Sequence, residues 1–243
     1  MTALPTLTRL AEALGVALDA TAFDRFARYR DLLLDWNRRI NLTRVTEPTE
    51  VEIRLFADSL LLIPYLRRFR EANPDNPPRL ADVGAGGGFP GLPLKIAMPD
   101  LDLTLIEATG KKVAFLDAAI AALDLAGARA VHGRAEELAR LPDYRGRFDV
   151  VTARAVARMP TLLEYCLPLL RPGGWGLFPK GRDAQDEAAE AANALATLHA
   201  RLLAVDPAPV PELAGTAIVV VEQIKPVPPK YPRRAGLPAK RPL

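Results

Sequence analysis

Apolar residues near the start of the chain recur at intervals of three and four: Leu7, Leu10 and Leu14, then Phe23, Phe26, Tyr29, Leu33 and Trp36. That period lines one face of a helix, so residues 1–73 are expected to form a small helical cap. The pattern changes at Asn73-Pro74-Asp75-Asn76-Pro77-Pro78, a polar, proline-rich break. Beyond it, apolar runs of strand length alternate with longer helical ones. The strand-like runs are Leu80 to Val83, Leu101 to Ile106, Ala128 to His132, Phe148 to Ala153 and Gly174 to Phe178. The helical ones are Leu92 to Met98, Lys111 to Leu125, Glu136 to Arg140 and Thr161 to Leu170. Arg171-Pro172-Gly173-Gly174 reads as a helix-to-strand turn, and Asp183 to His199 as one long alanine-rich helix. Strands alternating with helices imply crossovers and a parallel sheet. Two last strand-like runs, Arg201 to Val205 and Thr216 to Ile224, have only the proline-rich Asp206 to Leu213 between them. With no helix to carry a crossover, they are expected to pair as an antiparallel hairpin.

Between the first strand and its helix lies Asp82-Val83-Gly84-Ala85-Gly86-Gly87-Gly88-Phe89-Pro90-Gly91. A strand that turns sharply into a helix, and lets a ligand approach its backbone, calls for glycine. Glu107 closes the second strand, where open α/β sheets set an acid against ribose hydroxyls. A dinucleotide fingerprint would need a third glycine where Phe89 stands, and no Gly-Lys-Ser/Thr ends the run as a P-loop requires. A ligand with a ribose and no pyrophosphate fits better, and S-adenosylmethionine is one. The predicted fold is therefore α/β: a Rossmann-like, seven-stranded, mostly parallel sheet over residues 74–224 with a final antiparallel hairpin. This is the architecture of the S-adenosylmethionine-dependent methyltransferases.

Composition narrows the chemistry further. Cys166 is the only cysteine among 243 residues, which excludes an internal disulfide and a cysteine-cluster zinc site. It sits among Leu162, Leu163, Leu167 and Leu169 and reads as a core thiol. The two histidines, His132 and His199, make a histidine-rich metal site unlikely on numbers alone, and both read as structural. Met1 to Leu18 lacks a basic segment followed by an apolar core, and Pro64 interrupts the longest apolar run, so a cytoplasmic protein is expected. With a formal net charge of only +3, contact with a polyanion must come from clustered basic residues. Residues 225–243 supply such a cluster: Lys225, Lys230, Arg233, Arg234, Lys240 and Arg241 stand among prolines with no acid after Glu222. This tail is expected to be extended and basic.

A set of short motifs runs in order from Trp36 to the C-terminus: Trp36-Asn37, Ile40-Asn41-Leu42-Thr43, Asp58-Ser59-Leu60, the loop Asp82 to Leu94, Lys111-Lys112 with Phe115-Leu116, Gly133-Arg134-Ala135-Glu136, Arg154-Ala155-Val156-Ala157, Lys180-Gly181 and Lys230-Tyr231-Pro232-Arg233-Arg234-Ala235-Gly236. Together they resemble the bacterial 16S ribosomal RNA guanine-N7 methyltransferases, once called glucose-inhibited division protein B. The resemblance implies S-adenosylmethionine as cofactor, with contacts on Gly84 and Phe89, on Ala135 and Glu136, and on Arg154. The loop reading adds Gly86, and the ribose reading adds Glu107. Arg154 is left between two roles, holding the methionine carboxylate or facing the RNA. One departure is visible: the family's histidine three residues before Asp-Ser-Leu is Leu55 here.

The implied partner is 16S ribosomal RNA or the small ribosomal subunit; the oligomeric state is left open, with a monomer favoured. Guanine N7 carries an in-plane lone pair and no proton, so it attacks a sulfonium methyl without a general base, and no catalytic side chain is assigned. The motif that enzymes acting on exocyclic amines carry after the fourth strand is replaced by Thr152-Ala153-Arg154-Ala155, and cytosine-C5 chemistry needs a nucleophilic cysteine. Lys180, Arg233 and Arg234 are expected to meet RNA phosphates on one basic surface. The competing reading is a methyltransferase-fold enzyme that acts on a small molecule or a protein, its tail serving solubility.

Overall fold

The computed structural model describes residues 4–74 and 77–243; Asp75 and Asn76, within the predicted break, lie outside the described residues. The chain opens with helices α1 (Pro5–Ala13) and α2 (Ala20–Asn37), the latter capped by Asp19, whose side chain accepts from the Ala22 N–H. A short α3 (Pro48–Val51), a π-helical turn (Glu52–Ala57), α4 (Asp58–Leu60) and α5 (Ile63–Ala72) complete the cap. Then β1 (Arg79–Val83), α6 (Gly91–Ala97), β2 (Asp102–Glu107), α7 (Gly110–Ala122), β3 (Ala128–His132), α8 (Ala135–Leu138), β4 (Phe148–Thr152) and α9 (Met159–Cys166) alternate as the pattern predicts. The chain ends through β5 (Leu170–Lys180), α10 (Ala184–Glu190), α11 (Ala192–Thr197), β6 (Ala200–Pro207), β7 (Ala217–Gln223) and a short α12 (Leu237–Lys240).

The sheet order is β3-β2-β1-β4-β5-β7-β6. Strands β1 to β5 pair in parallel, and β7 runs antiparallel between β5 and β6, as the missing crossover required. Side chains alternate across the sheet. Leu80, Leu103, Leu105, Val150, Ile218 and Val220 face α1, α2 and α5 to α7, while Ala81, Ile106, Val151, Val219 and Val221 face α9 to α11. The cap is thus one outer layer of an α/β/α sandwich, sharing its apolar core with the sheet.

Three expectations are corrected. The long helix over Asp183 to His199 is two helices parted at Ala191, which lets α10 pack on β7 and α11 on α9. No glycine or proline marks that bend. The turn at Arg171 to Gly174 lies inside β5, where Gly173 takes φ +79° and a register shift against β4 between Phe148 and Val150 absorbs the irregularity. The tail is not extended. Val227, Tyr231 and Pro238 are buried, α12 packs on α9, and the Arg233 guanidinium grips Glu164, which is fully buried, with contacts of 2.6–3.0 Å.

Candidate active site

The loop after β1 is held both by its own turns, with the Gly88 and Phe89 N–H groups donating to the Ala85 carbonyl at 2.7 and 3.0 Å, and by its neighbours. Gly84 and Ala85 donate to the Ile106 carbonyl at 2.8 and 3.1 Å, and Gly86 donates to Oε2 of Glu107 at 2.9 Å. The other Glu107 oxygen accepts from the Thr109 N–H at 2.8 Å. Gly84 and Gly86 both lie in the left-handed region, with φ +69° and +58°. A Cβ on Gly84 would stand 2.7 Å from Val156, in the segment after β4, whereas one on Gly86 would meet nothing nearer than 3.8 Å. The space over Gly86 is therefore open to a ligand approaching the backbone beside the Glu107 carboxylate.

From the other side α2 buttresses the loop. The Tyr29 hydroxyl donates to the Gly87 carbonyl, its ring stacks on Phe89 at 5.3 Å, and Phe56 completes the cluster. Burial holds the Tyr29 hydroxyl well above its ordinary pKa, so it stays a donor. The Phe89 ring thus faces the cap, which leaves its backbone, not its ring, to a ligand. Leu55, the residue in place of the family histidine, is a buried core residue behind this cluster.

Arg154 joins the loop to a second space. Its guanidinium lies over the Phe89 ring at 5.1 Å, while Nη1 donates to the Arg54 carbonyl at 2.9 Å and to Oδ2 of Asp58 at 3.1 Å. The other Asp58 oxygen accepts from the Thr216 hydroxyl at 2.8 Å. Beyond lies a cavity of about 430 Å³ whose lining includes Asp58, Arg154, Val156, Lys180, Glu187 and Thr216. Lys180 donates to the Ala157 carbonyl at 2.7 Å and to Glu187 at 2.8 Å.

The expected site residues therefore separate. Gly84, Gly86, Glu107 and Arg154 gather at the carboxyl ends of β1, β2 and β4. Ala135 begins α8 after β3, but Glu136 there turns to the tail, accepting from the Gly236 N–H at 3.3 Å. The expected single basic surface does not form: Lys180 faces the cavity with a side chain only 10% exposed, Arg233 is spent on Glu164, and of the three only Arg234 is exposed.

Sequence reasoning missed Asp58, Thr216, Glu187 and Asp82. Asp58 stood in a quoted motif without a role; Glu187 had no signal, because only the fold brings it to Lys180. Asp82 opens the glycine loop and is fully buried, with Oδ2 accepting from the Gly91 N–H at 2.8 Å and Oδ1 unpaired among the described residues. Burial raises its pKa to about 7.

A sheet in this order, with a glycine loop after β1 and an acid at the end of β2, defines a methyltransferase fold of the S-adenosylmethionine-dependent class. Solved structures agree on the fold. The chain is similar to a SAM-dependent methyltransferase from Aquifex aeolicus, with a TM-score of 0.53, 14% identity, and 73% of this chain and 94% of that one covered. It is equally similar to a mutant of MtNAS in complex with S-adenosylmethionine, with a TM-score of 0.54, 14% identity, and 90% and 97% covered. A family model described as rRNA small subunit methyltransferase G matches residues 23–210, and the chain belongs to that family. Among relatives it is 46% identical over 237 residues to the ribosomal RNA small subunit methyltransferase G of Roseiflexus castenholzii, covering 98% of both chains. It is 42% identical over 241 residues to the protein of that name from Desulfitobacterium hafniense, covering 99% of this chain and 96% of the other.

Proposed function

We propose that the protein transfers a methyl group from S-adenosylmethionine to N7 of one guanine in 16S ribosomal RNA, in the cytoplasm. The near-full-length likeness to proteins named for small-subunit ribosomal RNA favours RNA over the small-molecule or protein acceptor. The observation that carries the choice of atom is the state of the cavity's carboxylates. Both oxygens of Asp58 are bonded, to Arg154 and Thr216, one oxygen of Glu187 is held by Lys180 and the Met159 N–H, and the lining holds neither histidine nor cysteine. Such a site suits an acceptor that surrenders no proton, as N7 does, better than an exocyclic amine, which must lose one.

The residues fit the cofactor. The open space over Gly86, the Glu107 carboxylate for ribose hydroxyls and Arg154 for the methionine carboxylate stand at the carboxyl ends of β1, β2 and β4, and the Ala135 backbone, for the adenine edge, follows β3. When bound, the cofactor supplies a methyl on a positively charged sulfur. The chain supplies position. Tyr29 and Phe89 hold the loop, Asp58 and the Arg54 carbonyl hold Arg154, and the cavity holds the base in line and away from water. Positioning of this kind is worth about 7–11 kcal/mol of barrier. Phosphate contact falls to exposed Arg234.

Small-subunit particles treated with the enzyme and radiolabelled cofactor are expected to take up label and, after borohydride and aniline, to break at one nucleotide, because only an N7-methylated guanine is cleaved so. Label without cleavage would overturn the N7 reading.

A further inference from the structure

We infer that Glu187 is the residue that selects guanine at the acceptor cavity, an inference that rests on the N7 reading above. Two carboxylates line the cavity, and they differ in what they have left to offer. Both oxygens of Asp58 are engaged, one by Thr216 and one by Arg154. In Glu187 a single oxygen, Oε2, takes both the Met159 N–H at 2.9 Å and Lys180 Nζ at 2.8 Å. Oε1 takes no hydrogen bond among the described residues, and the side chain is 15% exposed, toward the cavity. A free carboxylate oxygen beside an anchored ammonium is an acceptor next to a donor. Lys180 has three N–H groups and spends two, on Ala157 and Glu187, so one remains.

This pair matches one purine and opposes the other. Passing away from N7 around guanine, O6 is an acceptor, and N1–H and the 2-amino group are donors. With N7 turned toward the glycine loop, O6 accepts the remaining Lys180 proton and the 2-amino group donates to Oε1 of Glu187. Adenine shares N7 but presents an amine to the ammonium, a repulsive contact, and only C2–H to the carboxylate, which leaves that acceptor unpaired. Methylation also leaves a positive charge on the guanine ring, and a carboxylate on its far edge stabilises that charge as it develops.

The test uses small-subunit particles reconstituted with guanine or with inosine at the acceptor position. Inosine keeps N7, O6 and N1–H and lacks only the 2-amino group. The parent enzyme is expected to favour guanine about tenfold or more in kcat/KM, the loss that follows an unpaired buried acceptor. Glu187→Gln keeps the shape but turns an amide donor toward the cavity. It is expected to lose guanine activity roughly 10- to 100-fold while the guanine-to-inosine ratio falls toward one, with cofactor affinity by calorimetry unchanged. An unchanged ratio in the variant would overturn the assignment. Equal rates of the parent on guanine and inosine would do so too, whether or not the variant folds. Methylation away from N7 would instead sink the reaction proposed above, so the two failures are distinct.

Discussion

The two edges of the sheet both carry cavities, and the larger is at the amino ends of the strands. It measures about 1000 Å³, against about 430 Å³ at the carboxyl ends. Its charges are turned on one another or on the backbone: Arg171 on Asp149 at 2.6 Å, Arg79 on Asp102 at 3.8 Å, and Lys95 on the Pro99 and Leu101 carbonyls at 2.7 and 2.5 Å. At the carboxyl edge Gly86 leaves open backbone, a carboxylate oxygen of Glu187 accepts nothing among the described residues, and the strand order reverses between β1 and β4. At that reversal the helices that follow β1 and β4, α6 and α9, leave to opposite faces of the sheet, the place where open α/β sheets bind ligands. Volume therefore does not mark the site; unspent polar groups at the point of reversal do.

The strongest way to break this contrast is Gly84→Val. Its φ of +69° and a Cβ 2.7 Å from Val156 force the β1 and β4 loops apart, so cofactor binding is expected to fall more than ~100-fold with a loss of stability of over ~2 kcal/mol. Calorimetry finding parent-like affinity would remove the β1 loop from the site. Gly15→Ala, at φ +66° with nothing within 4 Å of its Cβ and outside the loop, is the control for backbone strain alone.

Asp82 sharpens the same contrast through pH. Its pKa is raised to about 7 in the fold, from 3.8, because burial penalises the charge. The native state thus holds a proton that the unfolded chain has already released, and stability falls as pH rises through the window between those values. The fall approaches about 1.4 kcal/mol per pH unit in mid-window and levels off above about pH 7. Denaturant titrations of the cofactor-free protein at pH 5 and pH 7.5 are expected to show this loss in the parent and not in Asp82→Asn. A parent as stable at pH 7.5 as at pH 5 would mean that Asp82 is ionised and paired.

Glu107→Gln places a donor where two backbone N–H groups and a ribose need an acceptor. Cofactor affinity is expected to drop about tenfold, with the melting temperature down by only a few degrees. An equal loss of binding for an analogue lacking both ribose hydroxyls would show that Glu107 holds only its own loop.

At the opposite edge Lys95→Met is expected to cost about 1–2 kcal/mol of stability through its two lost hydrogen bonds, and to leave cofactor and RNA affinity untouched. A fall in either affinity would turn the larger cavity into a second site.

Much of this architecture could be read along the chain. The alternation of apolar runs determined seven strands and their crossovers, the absent last helix determined the antiparallel hairpin, and the glycines with Glu107 marked the loop proposed to hold the cofactor. Each of these signals is local: a period of side chains, a left-handed φ, an acid at a strand end. What only the tertiary structure decided lies between residues far apart in the chain. Asp58 meets Arg154 across 96 positions, and Arg233 meets Glu164 across 69. The tail's arginines looked like an RNA surface until a buried carboxylate claimed one of them. Glu187, unmarked in the sequence, accepts from the Met159 N–H across 28 positions. Charge in a sequence states what a side chain can pair with. Which partner it meets depends on packing summed over the whole core, and no short window of residues carries that sum.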